Sequence, residues 1–226
     1  MMLTESTRTN SPELETELGT VNIWGRTPLH VAAEMGHVKV IPALLSATSN
    51  VNNEGRSGRT ALHLAAGAGY FAVVDLLIKA GAEVDKQGTD SGETPLHEAA
   101  DWGDLAIVNL LLEEGAEVDK EPNNGMTPLI RAAQKGHTTL VDLFLAIGVQ
   151  VDKQDWLGMT ALHWAALYNN DEVVNCLLRA GANADLKDHG GFTALKYAGV
   201  GENKKSLGIF TEAKTAADSN DSDNRK

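Results

Sequence analysis

The chain contains a single cysteine, Cys176, so an internal disulfide cannot form. A lone thiol is typical of proteins that work in a reducing compartment. There is no apolar run long enough to span a bilayer, and the N-terminal segment MMLTESTRTNSPELETELG lacks the apolar core of a signal peptide. These absences predict an intracellular protein, cytoplasmic, nuclear or both, that has no membrane partner.

Basic residues are also scarce. The 226 residues include 19 Lys and Arg against 31 Asp and Glu, which gives a formal net charge of −12. Nucleic acids and anionic membrane surfaces are bound through basic faces, because their phosphates must be neutralised. The charge therefore argues against nucleic acid as a partner.

What the sequence does contain is a repeat. A threonine follows a glycine and one further residue at six places, spaced by 33 residues, or by 34 where DKQGTDSG carries an extra residue. The six segments are GRTPLHVAA, GRTALHLAA, GETPLHEAA, GMTPLIRAA, GMTALHWAA and GFTALKYAG. A fixed period of this length is the signature of a stacked repeat protein.

Each repeat predicts two helices and an extended connection. Thr at the start and Pro or Ala after it predict a short first helix, and the paired alanines allow another helix to lie close. A Val-Val-x-Leu-Leu stripe predicts a second helix with one buried face. Gly81, Gly115, Gly148 and Gly181 follow that stripe, where a helix ends in a left-handed residue.

The period, the glycines and the Thr-Pro-Leu-His-x-Ala motif together resemble the ankyrin repeat family over residues 21–210. The resemblance implies a mainly α solenoid of helix-turn-helix units with projecting β-hairpins. It divides the domain into units near 25–57, 58–91, 92–124, 125–157, 158–190 and 191–210, the last acting as a C-terminal cap. Single units of such a solenoid cannot bury their own apolar faces, so they stabilise one another by stacking.

The ends of the chain depart from the repeat. Residues 1–20 are predicted to be a flexible segment that includes a short capping helix, and residues 211–226 a disordered tail. In the first unit, Thr48 replaces the glycine that ends the second helix, and Pro42 is predicted to lie inside that helix and to kink it.

The histidines invite a catalytic or metal-binding interpretation, but most of them follow the repeat. His30, His63, His97 and His163 share one motif position, where the resemblance implies a side chain that bridges neighbouring hairpins by hydrogen bonds. Metal ligands and catalytic groups converge in space, whereas these residues are spread periodically. We therefore predict no catalytic residues, no metal site, no cofactor and no enzymatic activity.

Ankyrin-like proteins generally bind partners on a concave face made of hairpin tips and the ends of first helices. Large apolar and aromatic side chains at the matching positions favour a protein partner, because exposed patches of this kind mark interaction sites. The predicted partner-binding residues are Trp24, Arg26, Met35, Arg56, Arg59, Asp90, Glu93, Asp101, Trp102, Met126, Lys135, Trp156, Leu157, Met159, Leu167, Tyr168 and Phe192.

The sequence thus predicts a non-enzymatic protein–protein interaction module, monomeric on its own, that binds another protein. Three alternatives stay open. The chain could be a regulatory or recruiting subunit that controls a partner enzyme or transcription factor. A small-ligand binder would require a convergent polar pocket, and a designed or reconstructed repeat scaffold would have more regular ends than Pro42 and Thr48 allow.

Overall fold

The computed structural model describes residues 20–200 and 204–223, and the capping helix predicted within residues 1–20 lies outside this part of the chain, apart from Thr20. The described residues form twelve helices, in which odd numbers are the first and even numbers the second helices of six units. No helix in these residues is both long and apolar enough to cross a membrane. The bounds are α1 Pro28–Glu34, α2 Ile41–Ala47, α3 Ala61–Gly67, α4 Phe71–Lys79, α5 Pro95–Trp102, α6 Leu105–Glu113, α7 Pro128–Lys135, α8 Thr138–Ile147, α9 Ala161–Leu167, α10 Asp171–Arg179, α11 Ala194–Val200 and α12 Lys204–Asp223.

The helices stack in register, and the paired alanines explain how closely the first helices approach. Each first helix lies against the next, from α1 to α11, while each second helix lies against its own first helix. Ala65 and Ala66 are fully buried, as are Ala165 and Ala166. Leucine at the third position of every motif from Leu29 to Leu162 is at most 5% exposed, so one apolar core runs through the stack. The predicted helix-turn-helix solenoid is confirmed.

The connections between units, here called fingers, are joined side by side by single backbone hydrogen bonds. The donor and acceptor recur at the same finger position: Arg56 to Trp24 (3.1 Å), Asp90 to Ser57 (3.4 Å), Asn123 to Ser91 (2.8 Å), Trp156 to Asn124 (3.0 Å) and His189 to Leu157 (2.9 Å). The fingers come so close that a Cβ on Gly58 would lie 2.1 Å from the nitrogen of Thr89. Turns but no strands occur in residues 20–200 and 204–223. In place of the predicted β-hairpins the fingers are turns, joined by one backbone–backbone bond each and by side-chain bonds such as that from Asn123 Nδ2 to the Asp90 carbonyl.

The prediction that Pro42 kinks the interior of a helix is wrong. Helix α2 begins at Ile41, so Pro42 lies in the first turn, where its missing N–H would have no intrahelical partner. The proline shortens the helix instead of kinking it: α2 has 7 residues, whereas α4, at the same place in the next unit, has 9. Thr48 ends α2 in an extended conformation, as expected for a residue that is not glycine.

Helix α12 covers part of the segment, residues 211–226, for which the sequence predicts a disordered tail. Helix α12 continues to Asp223. Its first turns are anchored on α10, because the buried Ser206 hydroxyl donates to Asp171 and the Lys205 amine lies 2.7 Å from a Glu172 carboxylate oxygen. Phe210 is 5% exposed and packs into the core. The first part of α12 is therefore fixed to the stack, and helix-compatible residues continue the helix beyond it.

Because each inner unit has two neighbours and each end unit has one, stability should fall toward the ends of the stack. We expect hydrogen exchange in dilute protein to be fastest in the described first unit, in α2 above all, and in the second half of α12. The amides of α5, α7 and α9 should exchange slowest. Strong protection of α2 with a labile centre, measured by mass spectrometry, would contradict a solenoid stabilised by nearest neighbours.

Candidate functional site

The predicted binding residues lie on one surface, here called the finger face, which consists of the finger tips and the last turns of the first helices. Their exposure separates them into three groups. The exposed residues are Trp24, Met35, Arg56, Asp90, Trp102, Lys135, Trp156, Leu157, Leu167, Tyr168 and Phe192. Arg26, Arg59, Glu93 and Asp101 are half-buried, whereas Met126 and Met159 are buried.

The prediction that Met126 and Met159 belong to an exposed stripe is therefore wrong. They are 7% and 4% exposed. Both stand directly after the finger glycine, where the chain turns back to the first helix: the Met159 carbonyl accepts a bond from Asp155 N–H, and its own N–H donates to the Asp155 carboxylate. The following finger covers this position in inner units. Phe192, at the same position in the last unit, remains 47% exposed.

Asp155 organises the aromatic part of the finger face. Its carboxylate is 5% exposed, and one oxygen accepts the N–H groups of Leu157 and Met159, both at 2.9 Å. The other oxygen accepts the Trp164 indole N–H at 2.8 Å. A single side chain thus holds the finger that carries Trp156 and Leu157 against helix α9. Sequence reasoning missed this role, although an aspartate nine residues before an aromatic recurs as Asp188 and Tyr197 in the next unit, where the phenol donates to the carboxylate.

Trp164, which Asp155 holds in place, in turn positions Tyr168. The two rings are stacked with centroids 6.0 Å apart, and Trp164 is half-buried and packs against the core. Tyr168 is 55% exposed and Trp156 is 68% exposed. The result is a preformed surface at the junction of units four and five, here called the aromatic patch: Trp156, Leu157, Leu167 and Tyr168.

Charged residues of the finger face are engaged with one another in the middle units. Arg59 lies 2.5 Å from Glu98, Lys135 lies 3.2 Å from Asp101, and Arg131 contacts both Glu93 and Asp101. Burial raises the pKa of Glu98 to about 7, which the Arg59 guanidinium only partly offsets. Three bases face three acids, so this ion-pair network is charge-compensated and separates Trp24 and Met35 from the aromatic patch.

Trp102, the third exposed tryptophan, is held by a close backbone approach. A Cβ on Gly69 of the preceding unit would lie 2.3 Å from the Trp102 indole nitrogen, so the ring lies over that glycine. At the matching place in unit five, Asn169 replaces the glycine and has a φ of 59°, a left-handed conformation that asparagine tolerates. Trp102 is 59% exposed despite this contact.

The motif histidines serve the scaffold, as predicted. In His30, His63 and His163, Nδ1 accepts the N–H of the threonine that starts the helix, so Nε2 carries the proton and donates to the next finger. The acceptors are the carbonyls of Arg59, Glu93 and Phe192, at 3.1, 3.0 and 3.2 Å. This geometry requires neutral imidazoles.

His97 is an exception that sequence reasoning missed. Its Nε2 is buried and has no hydrogen-bond partner among the described residues. The next finger contains Pro122, which has no N–H, so it lacks the bond that Asp155 N–H makes to Met159 in the following finger. Unit four also has Ile130 where the other inner units have histidine, and the junction of units three and four is bonded differently as a result.

Outside the finger face, Cys176 is half-buried on α10. Burial, and to a smaller extent a hydrogen bond to Asp142, raises the pKa of its thiol to about 11. A thiol of this kind is a poor nucleophile at neutral pH. In residues 20–200 and 204–223, no three His, Cys, Asp or Glu side chains form a group that could hold a metal ion.

We expect zinc, calcium, magnesium and ATP each to leave the melting temperature unchanged within error, because we predict no site for them. A ligand that binds only the native state would raise the melting temperature by mass action. Thermal melts followed by tryptophan fluorescence check this. A reproducible shift at well below millimolar ligand would contradict the prediction that no cofactor binds.

Comparison with known proteins agrees with this architecture. A family model described as "Ankyrin repeats (3 copies)" matches residues 8–88, 45–122, 86–155 and 130–222. No curated protein matches the chain. Members of this family are generally protein–protein interaction modules and are typically non-enzymatic. With overlapping matches along most of its length and the stacked helix pairs described above, the chain belongs to the ankyrin repeat family.

Proposed function

We propose that this protein is a non-enzymatic interaction module that binds a partner protein on its finger face, the concave side in the family. The observation that carries the proposal is the exposure of three tryptophans, Trp24, Trp102 and Trp156, each at least 59% exposed. Large aromatic side chains are costly in water and are enriched where proteins make their strongest contacts.

The aromatic patch is the centre of the proposed site, since it is both exposed and fixed in place. Asp155 and Trp164 hold Tyr168 and the finger of Trp156 before any partner arrives, which lowers the entropy lost on binding. Trp102 and Phe192 extend the apolar surface, and Arg56, Asp90 and Lys135 supply polar contacts at its rim. Trp24 and Met35 add a second apolar area on the other side of the ion-pair network.

The charges of the proposed site favour an apolar or aromatic segment as the ligand. Arg26 is paired with Glu34 at 2.5 Å, and the ion-pair network occupies Arg59, Glu93 and Asp101. A partner that relied on charge would have to break these pairs. The lone cysteine supports a role inside the cell, in the cytoplasm or the nucleus.

Affinity capture with matched baits tests the proposal. Wild type, Trp156→Ala and Tyr168→Ala would be compared with Phe71→Ala, which removes an exposed aromatic (45%) from the second-helix layer. We expect a protein that the wild type and Phe71→Ala retain and that both patch variants lose. Equal capture by all four baits would refute binding at the aromatic patch.

A further inference from the structure

The last unit exposes a leucine that every inner unit buries. Leu195 occupies the motif position of Leu162, which is 1% exposed, yet Leu195 is 42% exposed. With Thr193, Lys196 and Gly199 it lines a shallow groove of about 600 Å³ on α11. We call this surface the trailing face. It is the side of α11 on which the first helix of a following unit would lie.

At the other end of the stack, the first unit exposes the side of α1 on which the first helix of a preceding unit would lie. Val31 on α1 is 39% exposed, whereas Leu64, at its position in the second unit, is 4% exposed. A groove of about 520 Å³ runs between α1 and α2, and its apolar lining includes Val21, Val31, Val40 and Leu44. We call this the leading face. Each face thus exposes an apolar side chain that the matching position of an inner unit buries, whereas the ends of a repeat stack are usually polar.

The two faces are complementary because the chain joins such a pair five times within itself. At each internal junction, the trailing side of one first helix meets the leading side of the next. The backbone hydrogen bonds between neighbouring fingers could also continue across the two faces. The next acceptor in the series is the Gly190 carbonyl and the next donor is the Ile23 N–H. Neither group has a backbone partner among the described residues.

One residue of the trailing face departs from the internal pattern. Lys196 is exposed, whereas three of the four inner units have a buried histidine at this position. A lysine can lay its methylene chain along an apolar surface and keep its amine in water at the rim, so the position is compatible with contact.

We propose that the trailing face of one copy stacks on the leading face of a second copy, so that the solenoid continues head to tail. Such an interface is heterologous, and it extends instead of closing unless the rotation returns to the start. Association therefore depends on concentration and has no fixed number of chains. This inference replaces the sequence-based expectation of a monomer, and it is independent of the proposed partner site.

Sedimentation velocity on wild type and two charge variants provides the test. Val31→Glu alters the leading face and Leu195→Glu the trailing face, both at exposed positions, and matching thermal melts would show that each variant folds. The weight-average mass of wild type is expected to at least double across a roughly hundredfold concentration series. Each variant alone should remain a single chain.

The decisive arm is an equimolar mixture of the two variants. Val31→Glu keeps an intact trailing face and Leu195→Glu an intact leading face, so the mixture should form a two-chain species and stop there. Phe71→Glu, at a 45% exposed position on α4 and away from both end faces and the finger face, is the control and should associate like wild type.

Three results would overturn the proposal. Wild type could remain a single chain throughout, which is also the result expected if residues 1–19 cover the leading face. The mixture could form no two-chain species. Either variant alone could associate like wild type, which would place the contact on another surface.

Discussion

Acidification from pH 7 to pH 4 is expected to lower the free energy of unfolding by roughly 6 kcal/mol through two buried histidines alone. Burial lowers the pKa of His63 to about 4 and, with the nearby Arg131 charge, that of His97 to about 3, from an ordinary value of 6.5. Below pH 6.5 the unfolded chain binds protons that the folded chain does not. The stabilisation is thus complete above pH 6.5 and is lost as the pH falls.

Other groups modify this loss without reversing it. Burial also lowers the pKa of His30 and His163, so they add to the loss in the same direction. Glu98 opposes them: its pKa is raised to about 7, so between there and its ordinary 4.5 the folded chain holds the extra proton. Four histidines against one carboxyl still leave a net loss of stability in acid.

Urea unfolding at pH 7, 5.5 and 4, followed by tryptophan fluorescence, measures the effect. His97→Ile removes one titrating group, and Ile130 shows that the repeat accepts isoleucine at this position. This variant should lose about 3 kcal/mol less than wild type between pH 7 and pH 4. Exposed His189→Gln is the control and should follow wild type. A stability that does not change with pH would contradict the neutral, buried histidines described here.

The second large effect is expected from the core. Leu162→Ala should lower the free energy of unfolding by roughly 2–5 kcal/mol, because the leucine is 1% exposed and its loss leaves a cavity between α9 and its neighbours. Leu195→Ala removes the same side chain at the same motif position of α11, where it is 42% exposed. That substitution should cost about 1 kcal/mol or less in dilute protein.

Parallel urea titrations of the two variants provide the measurement, with low protein concentration to exclude association. The comparison is matched because both leucines follow a Thr-Ala pair in a seven-residue helix. Equal losses would mean that the outer side of α11 is buried in solution and that the stack does not end where the structure places its end.

The sequence alone predicted the fold well, because the features that specify it are local. Each threonine starts a helix, each histidine returns to that threonine, and each alanine pair permits close stacking. A period of 33 residues repeats these signals, so one correct unit predicts the next. The exposure of Trp156 also followed from the repeat, because the matching residues of the preceding units, Arg56, Asp90 and Asn123, are exposed as well.

The features that sequence reasoning missed depend on neighbours in space. Met126 and Met159 are buried by the following finger, and only its three-dimensional path shows this. Asp155 looks like an ordinary turn residue until its carboxylate is seen beneath Trp164. The length of α12 likewise depends on its anchor at Ser206, because its tail composition by itself predicts disorder.

One paired measurement tests the central claim, that the exposed aromatic patch and not the core binds a partner. For wild type and Trp156→Ala, both the free energy of unfolding and the Kd for the captured partner would be determined, with Leu162→Ala as the core reference. We predict that Trp156→Ala weakens binding by about thirtyfold or more, equivalent to about 2 kcal/mol, while stability changes by roughly 0.5 kcal/mol or less. If Trp156→Ala destabilises the protein as much as Leu162→Ala, or leaves the Kd unchanged, the aromatic patch is not the binding site.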